Sequence, residues 1–173
     1  LGIPAEPLFR SQILSTVRKG NFDLIVMGTH GHRAITELLI GSNAKAPFFL
    51  AQALAPQLIG HRGCIVNLVD IHADRPNSEH TVYSMAKAAN AMLVKSLARE
   101  LAPQVRVNGV APGAALWPEH YLDDADRQEI LKRIPMGRPA GAEQIVRAVM
   151  FMVTGSDYIT GQVLCVDGGY GMI

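Results

Sequence analysis

"GCIVNLVDIHADRPNSEHTVYSMAKAANAMLVKSLARELAPQVRVNGVAPG", Gly63 to Gly113, is the stretch on which the fold turns. It opens and closes with short runs, Cys64–Asp70 and Val105–Ala111, that are apolar or β-branched without clean alternation. Such runs suit strands covered on both faces of a parallel sheet. Between them, Thr81–Leu101 predicts a helix. Val82, Met85, Ala86, Ala89, Met92, Leu93 and Leu97 recur at three-four spacing, and Pro103 stops the run. Strand, helix and strand in this order make a parallel βαβ unit.

The same alternation continues outward. Asp23–Gly28 is a further buried strand, and Gln162–Val166 a shorter one. Ala5–Phe9 is a fifth candidate, which Pro4 and Pro7 confine to an edge. Ser11–Lys19 reads as a brief helix capped by Ser11 and stopped at Gly20. Asn43–Leu58 reads as a helix capped by Ser42, with Pro47 tolerated early and Pro56 ending or bending it. Ala142–Val153 is the last helix. Pro112–Arg138 is loop-rich, with one short helix near Asp124–Lys132, and a loop of that length is usually functional. The expected fold is therefore a single α/β domain over 1–173: a mostly parallel sheet of about four to five strands with flanking helices.

Bulk properties narrow the function. The apolar fraction is 49%, and 16 basic residues against 15 acidic leave a net charge of +1. That balance offers no footprint for nucleic acid or an anionic membrane. No apolar run approaches the roughly 20 residues of a membrane helix, and Leu1–Arg10 lacks the form of a secretory leader. Cys64 and Cys165 both fall in strand-like runs and read as buried thiols of a cytoplasmic protein. His30 and His32 straddle Gly31 without zinc-ligand spacing, so no metal site is expected.

Three polar residues sit where a core would exclude them. Asp70 ends a buried strand, and ligands of open α/β sheets bind beyond such ends. Tyr83 and Lys87 are four apart on the long helix and share a face. An ammonium beside a phenol favours phenolate and lowers its pKa, which fits the phenol for proton transfer. A carboxylate there can relay the proton or orient a substrate. As a bare pair, Tyr83 and Lys87 read as a half-exposed helix couple, since that spacing is common by chance.

From Gly41 to Ile173 the ordered motifs resemble the C-terminal half of the short-chain dehydrogenases/reductases, and within them the pteridine reductases. The carrying residues are Gly41–Phe49, Asn67-Leu-Val-Asp70, Tyr83-Ser-Met-Ala-Lys87, Val107–Gly113, and Ile159-Thr-Gly161 through Val166–Tyr170. The resemblance implies a partial Rossmann-like three-layer fold and NADPH-dependent reduction of a pterin-like ring. It implies Tyr83 as proton donor, with Lys87 binding the nicotinamide ribose and tuning it. Asn43 would hold the helix bend and a relay water, and Pro112 and Gly113 would border the nicotinamide. Asp70, where most of the family has serine, would donate to ring nitrogens. Trp117 would help cover the substrate, or else serve as a packing anchor.

Enzymes of that family open with a strand, a G-x-x-x-G-x-G turn and a helix that take the cofactor's pyrophosphate. The 173 residues contain no such turn, so the first βαβ units are expected to be lacking. In their place Phe22–Gly31, followed by Gly41-Ser42, resembles a C-terminal segment of the universal stress proteins. Gly28, Gly31, Gly41 and Ser42 match that family's nucleotide motif, which implies ATP as an alternative ligand; the other reading is an ordinary glycine turn. Residues 1–42 then read as stress-protein-like and 43–173 as the reductase's catalytic half, with Gly41–Ala44 as the seam of a chimera, natural or recombined.

Three functions follow: a reductase, weak or inactive without its dinucleotide-binding half; a nucleotide-binding module; or a folded chimera without evolved activity. Right-handed crossovers advancing in one direction would put most helices on one sheet face. The other face would be closed by a homodimer or swapped oligomer, or by the last helix wrapping across.

Overall fold

The computed structural model describes residues 24–27 (backbone alone), 40–78, 80–115 and 124–172. Ala5–Phe9, Ser11–Lys19, Gly28, Gly31 and Trp117 lie outside the described residues.

Among the described residues, four parallel strands stand in the order in which the chain meets them: β1 (Leu24–Met27), β2 (Cys64–Leu68), β3 (Arg106–Pro112) and β4 (Val163–Val166). Every residue of β2 is buried, and so is all of β3 after Arg106. This is the two-sided burial that their unbroken apolar runs predict. Between the strands run α1 (Ala46–His61), α2 (Thr81–Leu101), α3 (Asp124–Lys132) and α4 (Ala142–Thr154). None of these helices is long and apolar enough to cross a membrane.

The core divides cleanly by strand parity. Ile65, Val69, Val107 and Ala111 pack against Ala51 and Leu58 of α1 and Val94, Leu97 and Leu101 of α2. Cys64, Val66, Leu68 and Val110 point the other way, against Ile145, Val149, Met152 and Val153 of α4. The fold therefore has three layers. Since β2, β3 and β4 advance in one direction, α2 and α4 on opposite faces require crossovers of opposite hand. Of the two expectations for the far face, the last helix wrapping across is the one found: α4 covers that side, and both Ile65 and Val66 are sealed.

Three local expectations also change. A turn of π-helix, Gly41–Lys45, leads into α1, with the N–H of Ala46 donating to the Gly41 carbonyl. Ser42 thus lies inside the helical turn and is not its cap. Of ending or bending α1, Pro56 does not do the first, since the helix continues to His61. The carbonyl that proline leaves unpaired, that of Gln52, belongs to an exposed residue where water can serve it. On α2 the buried face is Tyr83, Ala86, Lys87, Asn90, Val94 and Leu97, whereas Met85 and Met92 are 62% and 58% exposed. The apolar stripe caught only part of the inward face, Ala86 and Leu97, because the rest of that face carries the polar site.

Candidate active site

β2 leaves the sheet after Leu68, and Val69 keeps one last rung, its N–H donating to the Val110 carbonyl at 2.8 Å. Asp70 follows in extended conformation and caps a short 3-10 turn, Ile71–Ala73: its Oδ1 accepts from the His72 N–H at 2.9 Å. That bond fixes the carboxylate and leaves Oδ2 to accept from the Tyr83 hydroxyl at 2.7 Å. One turn further along α2, Lys87 is wholly buried. Its ammonium donates to the carbonyls of Val69 at 3.2 Å and Leu68 at 3.4 Å, where β2 ends. It stands 5.5 Å from the centre of the Tyr83 ring. The structure thus brings Asp70, Tyr83 and Lys87 together.

Burial holds the Tyr83 phenol well above its usual range; the charge of Asp70 pushes it further, and the hydrogen bond to that carboxylate adds to the effect. The expectation that Lys87 lowers it is corrected, because the carboxylate touches the hydroxyl while the ammonium lies over the ring. Lys87 itself is lowered to about 8, by burial first, with Asp70 opposing. The phenol accordingly holds its proton, and with the carboxylate on its hydroxyl it is a weaker acid than a free tyrosine.

The remaining expected residues fall around this centre. Asn43 is buried in the π turn and donates from Nδ2 to Ser42 Oγ at 3.3 Å. A π turn at the head of a helix is a frequent mark of functional sites. Gly41 lies in the same turn, with open space where a Cβ would stand. Pro112 ends β3, and Gly113 follows it. A Cβ on Gly113 would stand 2.6 Å from Asp167 Cβ and 2.9 Å from its Cα, so glycine is required there by chain packing. Cys64 is buried as expected, but Cys165 is exposed, since it lies on β4, which pairs on one side only among the described strands. A cavity of about 820 Å³ opens beside Asp70, bounded by Ile71, Asp74, Ala91, Gln162 and Cys165. Neither Tyr83 nor Lys87 lines it, so it is a groove behind the carboxylate.

Sequence reasoning missed several supports. Asp167 accepts from the N–H groups of Gly169 at 3.0 Å and Gly171 at 2.7 Å, folding the C-terminal segment back beside Gly113. Arg106 donates to the carbonyls of Met152 and Val153, both at 2.8 Å, at the end of α4. Asn67 Nδ2 donates to Asn90 Oδ1 at 2.6 Å within the core. The available signal was a polar residue inside an apolar strand and another inside a helix.

Residues 28–171 match the family described as enoyl-(acyl carrier protein) reductase. An uncharacterized oxidoreductase of Bacillus subtilis, YmfI, is 36% identical over 156 residues, covering 88% of this chain and 63% of that one. Pteridine reductase 1 of Leishmania tarentolae is 38% identical over 144 residues, covering 78% and 50%. The chain thus spans about half to just under two thirds of the length of these relatives. A solved structure of an apo SCOR enzyme from Clostridium thermocellum superposes with a TM-score of 0.76 at 26% identity, over 99% of this chain and 72% of that one. The family match begins at residue 28 and runs unbroken through Gly41–Ala44, so the comparisons bring no support for a seam there or for a stress-protein segment.

Proposed function

The chain belongs to the short-chain dehydrogenase/reductase family, and from that premise we propose that it carries the catalytic half of an NADPH-dependent reductase acting on a pterin-like ring. The observation that carries the reading is the buried 2.7 Å hydrogen bond from Tyr83 to Asp70. A carboxylate at that place suits a substrate with ring nitrogens. The likeness to a pteridine reductase supports the same substrate class.

The family's cofactor is a nicotinamide dinucleotide. The donor set fits its nicotinamide-ribose end: a phenol and an ammonium on one helix face, at the carboxyl ends of parallel strands. Lys87, Asn43 and the backbone around Pro112 and Gly113 would hold that end. The cofactor, when bound, supplies a hydride. Tyr83 gives its hydroxyl proton to the substrate nitrogen. Asp70 orients the phenol before transfer. No glycine-rich turn for the diphosphate is found among the described residues, so slow turnover is expected of these 173 residues alone.

A titration with NADPH and, separately, with ATP tests the proposal. NADPH binding, followed by its oxidation on addition of a dihydropterin and lost in Tyr83→Phe, is the expected result. ATP binding alone would transfer the reading to a nucleotide-binding module. Silence toward both ligands would leave a folded domain without this activity.

The proposal includes a cytoplasmic homodimer. With the far sheet face covered by α4, one surface for pairing is the outer side of α1 and α2, which exposes Phe48, Phe49, Met85 and Met92. A monomer by light scattering at micromolar concentration would remove the dimer.

A further inference from the structure

Asn90 lies three residues past Lys87 and seven past Tyr83, so three polar side chains descend one face of α2. It is wholly buried. Its amide joins two elements: Oδ1 accepts from Asn67 Nδ2 of β2 at 2.6 Å, and Nδ2 donates to the Leu68 carbonyl at 3.4 Å. That carbonyl is one of the two that receive the Lys87 ammonium. Lys87 and Asn90 therefore share an acceptor, and the residue preceding that acceptor clamps Asn90 from the far side.

As a stabilising device this arrangement is poor. Asn67 Oδ1 is buried and has no hydrogen-bond partner among the described residues. Two apolar side chains of similar volume would leave neither amide to satisfy. The value of the pair lies in what it does to its neighbour. We infer that Asn90, clamped by Asn67, is a positioning residue that holds the Leu68 carbonyl against the Lys87 ammonium and so sets the charge state of that lysine beneath Tyr83.

The titratable groups facing Lys87 among the described residues are Asp70, after β2, and Tyr83, on its own helix. The π turn packed against α2 contributes Asn43 as its buried side chain, which does not titrate. Removing the Asn90 amide takes away polar surroundings and lets the Leu68 carbonyl move off the ammonium, and both changes disfavour the charged form. The functional meaning of the inference rests on the reductase reading, but its test does not, because it is read on the protein without ligand.

Lysine side chains labelled with carbon-13 at Cε are followed by NMR against pH, with Lys87 assigned from its lost signal in Lys87→Met. Asn90→Leu is expected to lower the Lys87 midpoint by about one pH unit, roughly tenfold in the ratio of its two forms. The milder Asn90→Ser shifts it in the same direction by less, and decides the matter should the leucine variant not fold. Val94→Ala, a cavity one turn along, is expected to lower the thermal midpoint while leaving the Lys87 titration in place. An unmoved midpoint in a folded Asn90 variant overturns the inference. So does an equal shift in Val94→Ala, which would make the role merely structural. Failure of NADPH oxidation, by contrast, would count against the reductase alone.

Discussion

The burial of Lys87 has a consequence for stability that can be worked out and measured. Its pKa falls from 10.5 to about 8 on folding, with burial as the first cause. Between those two values the unfolded chain holds a proton that the folded protein has released, so stability rises with pH there. The contribution is full above the unfolded value and is lost as pH falls through the folded one. At about 1.36 kcal/mol per unit, a shift of this size is worth roughly 3 kcal/mol. Other groups act in the opposite sense. Tyr83, raised by burial and Asp70, keeps a proton that the unfolded chain gives up above its ordinary value, and the buried Cys64 thiol does the same. The raw pH curve is therefore a composite, and a difference is needed. Urea unfolding of the protein and of Lys87→Met, from about pH 6.5 to 10.5, supplies it. The wild-type free energy minus that of the variant is expected to be level below about pH 7 and to climb by roughly 3 kcal/mol at the alkaline end. A difference that stays level throughout would refute the claim that the ammonium is held at a desolvation cost.

Tyr83→Phe is expected to lower any NADPH-dependent turnover by about 10²-fold or more, while circular dichroism reports a native fold. Asp70→Asn removes a charge that raises the phenol, so the Tyr83 titration moves down, read from ultraviolet absorbance with Tyr83→Phe as the blank. Gly113→Ala drives a methyl to within 2.6 Å of Asp167 Cβ; the forced backbone shift costs about 1–3 kcal/mol in urea unfolding. Arg106→Met takes the guanidinium from the carbonyls of Met152 and Val153; about 2 kcal/mol is lost, seen as a lower thermal midpoint.

What the sequence disclosed and what it hid have the same origin. The strands were legible because β2 and β3 are buried on both faces and so must be apolar throughout. The span Thr81–Leu101 was legible from its length and from Pro103, but its inward face only in part, through Ala86 and Leu97. Apolar periodicity marks the buried side only when the buried side is apolar. Here that side carries Tyr83, Lys87 and Asn90, and Met85 and Met92 were displaced to the surface. Asp70 could be named because it ends a buried strand, and Tyr83 and Lys87 because their spacing falls within motifs that resemble the short-chain reductases. Their electrostatics could not, because the sign of the Tyr83 shift depends on whether carboxylate or ammonium reaches the hydroxyl, and that is a matter of ångströms. Arg106 stayed hidden for another reason: it serves backbone carbonyls that become its neighbours only after the chain has crossed the sheet.

The crossing of α4 to the far face links these observations. Had every crossover kept one hand, Cys64, Val66, Leu68 and Val110 would lack a cover, and pairing through a bare sheet would follow. Instead α4 closes that side, and Arg106 holds its last carbonyls to the start of β3. The opposite face then bears the chemistry alone. Its helix α2 cannot be anchored by a continuous apolar seam, because three turns of that seam are given to a phenol, an ammonium and an amide. Their attachment is polar and falls at one place, where Leu68, Val69 and Asp70 leave the sheet. The end of β2 is thus both an anchor for α2 and the wall of the site. A change that loosens one must shift the other, which is why stability and proton handling should move together in Lys87 and Asn90 variants and separately in Val94→Ala.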